Sequence, residues 1–158
     1  MVYPVKRINE MTNLAQLTTI PIKDLLKSNT EARNWLLDNT DQLENLLEIE
    51  LSNPSVCLNI PEEARPDIIA EENMTDKKVV CLINLDSPTD ADFKKFLSIA
   101  TAHDASIALW ITSEIDDQTK AIIQWLKHRT EWKTRFVIAK IDGYKIRDSL
   151  PILYLSKV

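Results

Sequence analysis

Residues 66–85 read PDIIAEENMTDKKVVCLINL, and the fold turns on them. Pro66–Ala70 is a short β-branched run opened by a proline. Lys78–Leu85 is the most hydrophobic of the early strand-like runs. Between them, Glu71–Lys77 is polar and short, which suits a hairpin loop. The stretch therefore predicts two antiparallel strands. A third run just upstream, Ser55–Ile60, extends the pair into a meander.

Outward from that meander, the pattern changes period. Upstream, Trp35, Leu36, Leu43, Leu46 and Leu47 recur at helical spacing among Asp38, Asp41 and Glu44, and Asn29 or Thr30 can cap that helix. Lys23–Leu26 follows Pro21 as a short helical turn, and residues 1–19 read as a polar, aperiodic arm. Downstream, Thr89 or Asp90 caps a helix through about Ala102 with Phe93, Phe96, Leu97 and Ile99 inward. Ser106–Thr112 is a continuous apolar strand of the kind covered on both faces. A helix over about Asp116–Arg129 carries Ile122, Ile123, Trp125 and Leu126, and Arg135–Ala139 is a strand. Gly143 marks a turn before Tyr144–Ile146, and Ile152–Leu155 closes the chain. The order α-β-β-β-α-β-α-β predicts an antiparallel first half and, through helical crossovers, a parallel second half. An α/β fold results: one mixed sheet with helices on both faces, in a single domain over residues 20–158.

Bulk properties narrow the function. The 158 residues fit one core. A net charge of −5 does not favour a dedicated polyanion binder, although a local patch can act against the total. With one glycine in the chain, phosphate-cradling glycine loops and dinucleotide fingerprints are excluded. No apolar run spans a bilayer and the N-terminus lacks a secretory h-region, so a cytoplasmic setting is expected. Cys57 and Cys81 lack CxxC spacing and read as small buried hydrophobes in a reducing compartment. His103 and His128 fall near helix ends, with no triad or zinc spacing around them.

The ordered motifs resemble a bacterial group of small PD-(D/E)XK nuclease-like domains. In that group a helix reads like WLxENxDxL, a strand like R-x-D-L-L-A-E and the next like VVIENQ. Here the corresponding residues are Trp35–Leu43, Arg65–Glu71 and Val79–Asn84. The likeness continues through Asp104–Thr112 and Ala121–Leu126 to Tyr144–Ser149, where the group has WKIGDS. It covers roughly residues 20–158. The resemblance implies a restriction-endonuclease-like αβββαβ core with an extra helix and C-terminal strands. Relatives often continue into a helical region, so here the module is expected to stand alone.

The resemblance also implies a chemistry. Nucleases of this fold hold Mg²⁺ with two carboxylates on adjacent strands, which lowers the pKa of the attacking water. Asp67 matches the first acid. With one extra hairpin residue allowed, the second acid falls at Leu82 and the Lys/Gln position at Asn84. An isobutyl group supplies no ligand and disfavours charge beside it. Asp86 and Glu71 lie four residues along their strands, about 13 Å from the required positions. Asp38, matching the acid of the helix motif, is the remaining rescuer. The remnant catalytic set is thus Asp67, Asn84 and Asp38, with Asp67 a metal ligand only if the domain is active.

Three functions follow as expectations. First comes a non-catalytic nuclease-like domain that binds a protein or nucleic-acid partner, with no cofactor. Second is a Mg²⁺- or Mn²⁺-dependent DNA endonuclease with a relocated carboxylate. Third is an acidic inhibitor or decoy. Nuclease-fold proteins often pair, so a homodimer stands among the expected partners, and a membrane does not. If nucleic acid binds, Lys127, Arg129 and Lys133, with His128 and Arg135, are the candidate phosphate contacts, and Trp125 or Trp132 a stacking surface. The plainer reading is a solvated helix end favouring cations, with Trp125 in the core. Lys94–Lys95 reads the same way.

Overall fold

A computed structural model describes residues 14–130 and 133–158. The chain forms a mixed α/β fold around one seven-stranded sheet. Its strands are β1 (Leu17–Ile20), β2 (Leu51–Ser55), β3 (Ile68–Glu72), β4 (Lys78–Asn84), β5 (Ile107–Thr112), β6 (Arg135–Ile146) and β7 (Ile152–Lys157). The helices are α1 (Ile22–Leu25), α2 (Asn29–Asp38), α3 (Thr40–Leu47), α4 (Asp90–Ala102) and α5 (Asp117–Thr130). The sheet runs β1-β6-β5-β4-β3-β2, with β7 also on β6.

The expected change of pairing occurs at β4. Strands β2, β3 and β4 are an antiparallel meander, whereas β4, β5 and β6 are parallel and joined by α4 and α5. The twelve-residue β6 is shared by three neighbours. Ala139 and Lys140 pair with both β5 and β7, so those two strands flank opposite edges of β6. Gly143 and Tyr144 pair with both β7 and β1, which places β1 on the β5 side, beyond the end of β5.

Both faces are covered over the central strands. On one face Ala32 and Leu36 of α2 and Leu43, Leu46 and Leu47 of α3 pack on Ile68, Cys81, Ile83, Leu109 and Ile141. On the other, Phe96 and Ile99 of α4 and Ile123 of α5 pack on Val80, Leu82, Trp110, Phe136 and Ile138. Alternate residues of β4 thus feed opposite layers, and its predicted uniform hydrophobicity follows.

Several boundaries differ from the sequence reading, each for a local reason. The first strand of the meander is Leu51–Ser55, not Ser55–Ile60; the apolar run 56–60 is loop, with Leu58 71% exposed. Strand β2 is a sheet edge, where Pro54 needs no inward N–H and Asn53, at φ 53°, coincides with a register shift. Cys57 is accordingly only half-buried, whereas Cys81 is buried. The single predicted helix is two, broken at Asn39, whose Nδ2 donates to the Trp35 carbonyl (2.8 Å). Ser28 caps α2 by accepting from Glu31 N–H (3.1 Å). Asn29 instead accepts from Leu85 N–H (2.9 Å) and ties α2 to the end of β4.

The sheet also begins earlier than the expected arm boundary, at Leu17; residues 1–13 of that arm lie outside the described residues. Gly143 is no turn. It sits inside β6, where a Cβ would lie 2.5 Å from Leu25 Cδ1 and 2.9 Å from the Ile20 carbonyl oxygen. Close approach of β1 and α1 is what requires glycine there.

Candidate functional site

Asp67 stands where β3 and β4 separate. Its N–H donates to the Cys81 carbonyl (2.8 Å), and its own Oδ2 accepts from Ile83 N–H (2.7 Å). Pro66 precedes it and has no N–H, so the ladder cannot continue. The carboxylate therefore takes the acceptor role that a next backbone carbonyl would have filled, and it caps the fork.

The paired register ends at Ile68 opposite Cys81, and the next residues beyond it on the two strands are Asp67 and Leu82. Leu82 belongs to the α4–α5 face. Leu82 is 4% exposed and lies beside Trp110 in the sheet. Trp110 is fully buried, with ring centroids 5.2 Å from Phe96 and 6.2 Å from Phe93. Asn84 follows on the same face, and its Oδ1 accepts from Trp110 Nε1–H (2.8 Å). Asn84 thus satisfies a buried indole. Asp38 is exposed at the end of α2.

Burial pushes the Asp67 carboxyl above its ordinary range; the Ile83 N–H and the positive charges of Lys95 and Arg33 pull the other way without cancelling it. Neither cation forms an ion pair with Asp67. Arg33, on α2, has a buried Nε without a hydrogen-bond partner among the described residues. Lys95, on α4, lines a groove with Glu62, Glu63, Ala91, Lys94 and Ser98. The sequence reading assigned neither residue to Asp67. The available signal was position: each lies one residue from an inward apolar side chain (Ala32 and Phe96), at the rim of its helix's buried stripe.

These residues do not fit a hard, octahedral cation. Of the two residues just beyond the paired register, one carries a carboxylate engaged by a backbone N–H and the other is a buried leucine. Three other acids named in the sequence reading have partners elsewhere. Asp86 pairs with Lys23, Glu71 with Lys78 (2.6 Å), and Glu44 accepts from Leu51 N–H (3.1 Å). Among the described residues no three His, Cys, Asp or Glu side chains gather as a ligand set. His103 ends α4, its Nε2 2.9 Å from the Ala64 carbonyl, and so anchors the turn that leads into Asp67.

The basic cluster does not act as one surface. Lys127 and His128 line a cavity of about 460 Å³ with Gln124, Arg135 and Phe136. Arg129 lies over the Trp125 ring instead, 4.0 Å from its centroid. Trp125 is 55% exposed rather than in the core, and Ile122 is 40% exposed; Ile123 and Leu126 form the inward side of α5. Lys133 faces Asp104 (3.6 Å). Trp132 lies outside the described residues.

Comparisons of the chain with protein-family models, curated proteins and solved structures find no match. Among the described residues no helix is long and apolar enough to cross a membrane.

Proposed function

We propose that the chain is a restriction-endonuclease-like domain that acts by binding a protein or nucleic-acid partner rather than by cleaving a phosphodiester. The observation that carries this reading is the Asp67–Ile83 hydrogen bond beside a buried Leu82. Asp67 holds the fork together there, and its neighbour across the fork is a core side chain. The meander followed by a parallel crossover supports the nuclease-like topology, and the motif order from Trp35 to Ser149 supports the kinship.

The test is incubation of the purified chain with supercoiled plasmid and with single-stranded DNA in Mg²⁺ or Mn²⁺. The expected result is intact nucleic acid at every metal concentration. Metal-dependent nicking that disappears in Asp67→Ala would overturn the proposal. It would establish instead a nuclease whose second carboxylate comes from elsewhere in the chain.

A further inference from the structure

A groove of about 370 Å³ runs between α4 and the short 3₁₀ turn Glu62–Ala64, which leads into the Asp67 fork. Glu62 and Glu63 form one wall; Ala91, Lys94, Lys95 and Ser98 of α4 form the other. The walls carry opposite charges, yet among the described residues no ion pair spans them. Lys95 is also close enough to Asp67 for its charge to act on that carboxyl, so groove and fork adjoin.

The fold, not the charges, sets the spacing of these walls. Within the turn, Ala64 N–H donates to the Pro61 carbonyl (3.0 Å) and Arg65 N–H to the Glu62 carbonyl (3.2 Å). Arg65 Nε closes the turn from outside on the Ile60 carbonyl (2.9 Å). The turn is tied to the end of α4 by His103 Nε2, 2.9 Å from the Ala64 carbonyl. Helix α4 is held at its start by the Thr89–Asp92 capping box, and along its length by buried Phe96 and Ile99. A ligand therefore meets walls already in place, which lowers the ordering cost of binding.

The chemistry of the walls selects among ligands. A phosphate track would run against Glu62, Glu63 and Asp67. An apolar ligand would desolvate the wall charges without pairing them. An extended peptide sends successive side chains to opposite sides. Neighbouring Lys and Glu residues thus reach opposite walls, the ammonium towards Glu62 and Glu63 and the carboxylate towards Lys94 and Lys95. We infer that this groove binds an extended protein segment in which a basic and an acidic residue are neighbours, so that the partner taken beside the fork is a protein rather than a nucleic acid. The inference rests on the reading that the domain acts by binding, and narrows it.

The experiment uses ¹⁵N-labelled full-length chain and end-blocked threonine-serine peptides with a central Lys-Glu, Gln-Gln, Lys-Lys or Glu-Glu pair. A short oligothymidylate is the remaining probe. The Lys-Glu peptide is expected to shift the Glu63, Lys94 and Lys95 amides saturably. The Gln-Gln peptide should bind about fivefold more weakly, and the like-charged peptides no tighter than Gln-Gln. The Glu62→Lys, Glu63→Lys double substitution, at exposed positions, should move the preference to the Glu-Glu peptide. Equal responses to the peptides, or no saturable response up to millimolar Lys-Glu peptide, would overturn the inference. So would shifts in the groove from oligothymidylate alone, which would assign it to nucleic acid. Peptide discrimination alongside metal-dependent nicking would support the groove and overturn only the non-catalytic reading; intact plasmid with equal peptide responses would do the reverse.

Discussion

The fork between β3 and β4 and the edge of β6 at Phe136 belong to one sheet, yet they treat polar groups in opposite ways. At the fork, the groups are engaged internally: Asp67 caps Ile83, Asn84 satisfies Trp110, and Leu82 fills the space between strand and α4. At the edge, Lys127 and His128 have no ion-pair partner among the described residues, and Phe136 turns its backbone outward. The region that carries the motif residues uses their polar groups within the fold, whereas Lys127 and His128 make no ion pair among the described residues. Engagement of a residue's donors and acceptors, more than its type alone, decides what it does in the folded chain.

The largest effect should come from placing a second acid at the fork. Leu82→Glu places a carboxylate at a position 4% exposed, beside Trp110 and the Phe93–Phe96 pair. An unpaired buried charge of this kind should cost about 3–5 kcal/mol in urea unfolding. The comparison breaks if the variant is nearly as stable as the parent and Mg²⁺ raises its melting temperature. Binding to the folded state alone gives that signature, and the fork would then still be open to a cation.

Asp67 sharpens the same comparison with two substitutions. Asp67→Ala leaves the Ile83 N–H without its acceptor and should cost about 1–3 kcal/mol. Asp67→Asn keeps an oxygen for that N–H but removes the charge. The folded chain raises the Asp67 carboxyl above its unfolded value, chiefly by burial. Its contribution is therefore full below the unfolded value and lost as pH rises through the folded value. Asp67→Asn should compare best with the parent at neutral pH, and its advantage should shrink on acidification. Parallel stability curves from neutral to acid pH would show that burial of the charge is not what distinguishes this fork.

Much of this architecture was legible in the sequence, and for identifiable reasons. The switch from antiparallel to parallel pairing showed because a seven-residue polar loop, Glu71–Lys77, cannot carry a crossover, whereas the segments flanking Ile107–Thr112 can. Polar edges were not legible. Leu51–Ser55 hid because a strand with proline and alternate exposed residues resembles a loop, and the apolar residues 56–60 drew the assignment to themselves. Asn29 and Asn39 read as helix residues or caps, but their partners, Leu85 and Trp35, depend on tertiary packing and on the helix break. At the site, the adjacency of positions 67 and 82 follows from strand register, and hairpin length carries that. The proximity of Arg33 and Lys95 to Asp67 does not, because it depends on how two helices lie over opposite faces. Trp125 was expected in the core on the plainer reading of the helix end; its exposure comes from the narrow stripe of α5 that reaches the sheet, centred on Ile123.

A smaller effect tests whether Asn84 is structural. Its side chain accepts from the fully buried Trp110 indole, so Asn84→Ala should orphan that N–H and cost about 1–2 kcal/mol. A Trp110→Phe background should remove most of this cost, because the donor is gone. A double-mutant cycle reads the coupling directly. No coupling would mean that the asparagine's role lies elsewhere on the strand.

The smallest effect on stability should arise at the edge, and its smallness is the point. Lys127 and His128 are exposed and make no ion pair among the described residues, so the Lys127→Ala, His128→Ala double substitution should change unfolding free energy by no more than about 0.5 kcal/mol. Urea unfolding of the double variant beside Asp67→Ala reads the difference directly. A loss as large as that of Asp67→Ala would show that the basic side chains also support the fold. Only if the fork substitutions lower stability and the edge substitutions do not are the two regions separate in energy as well as in place, with the Asp67 side chain holding the sheet together and the Lys127 side chain contributing little to it.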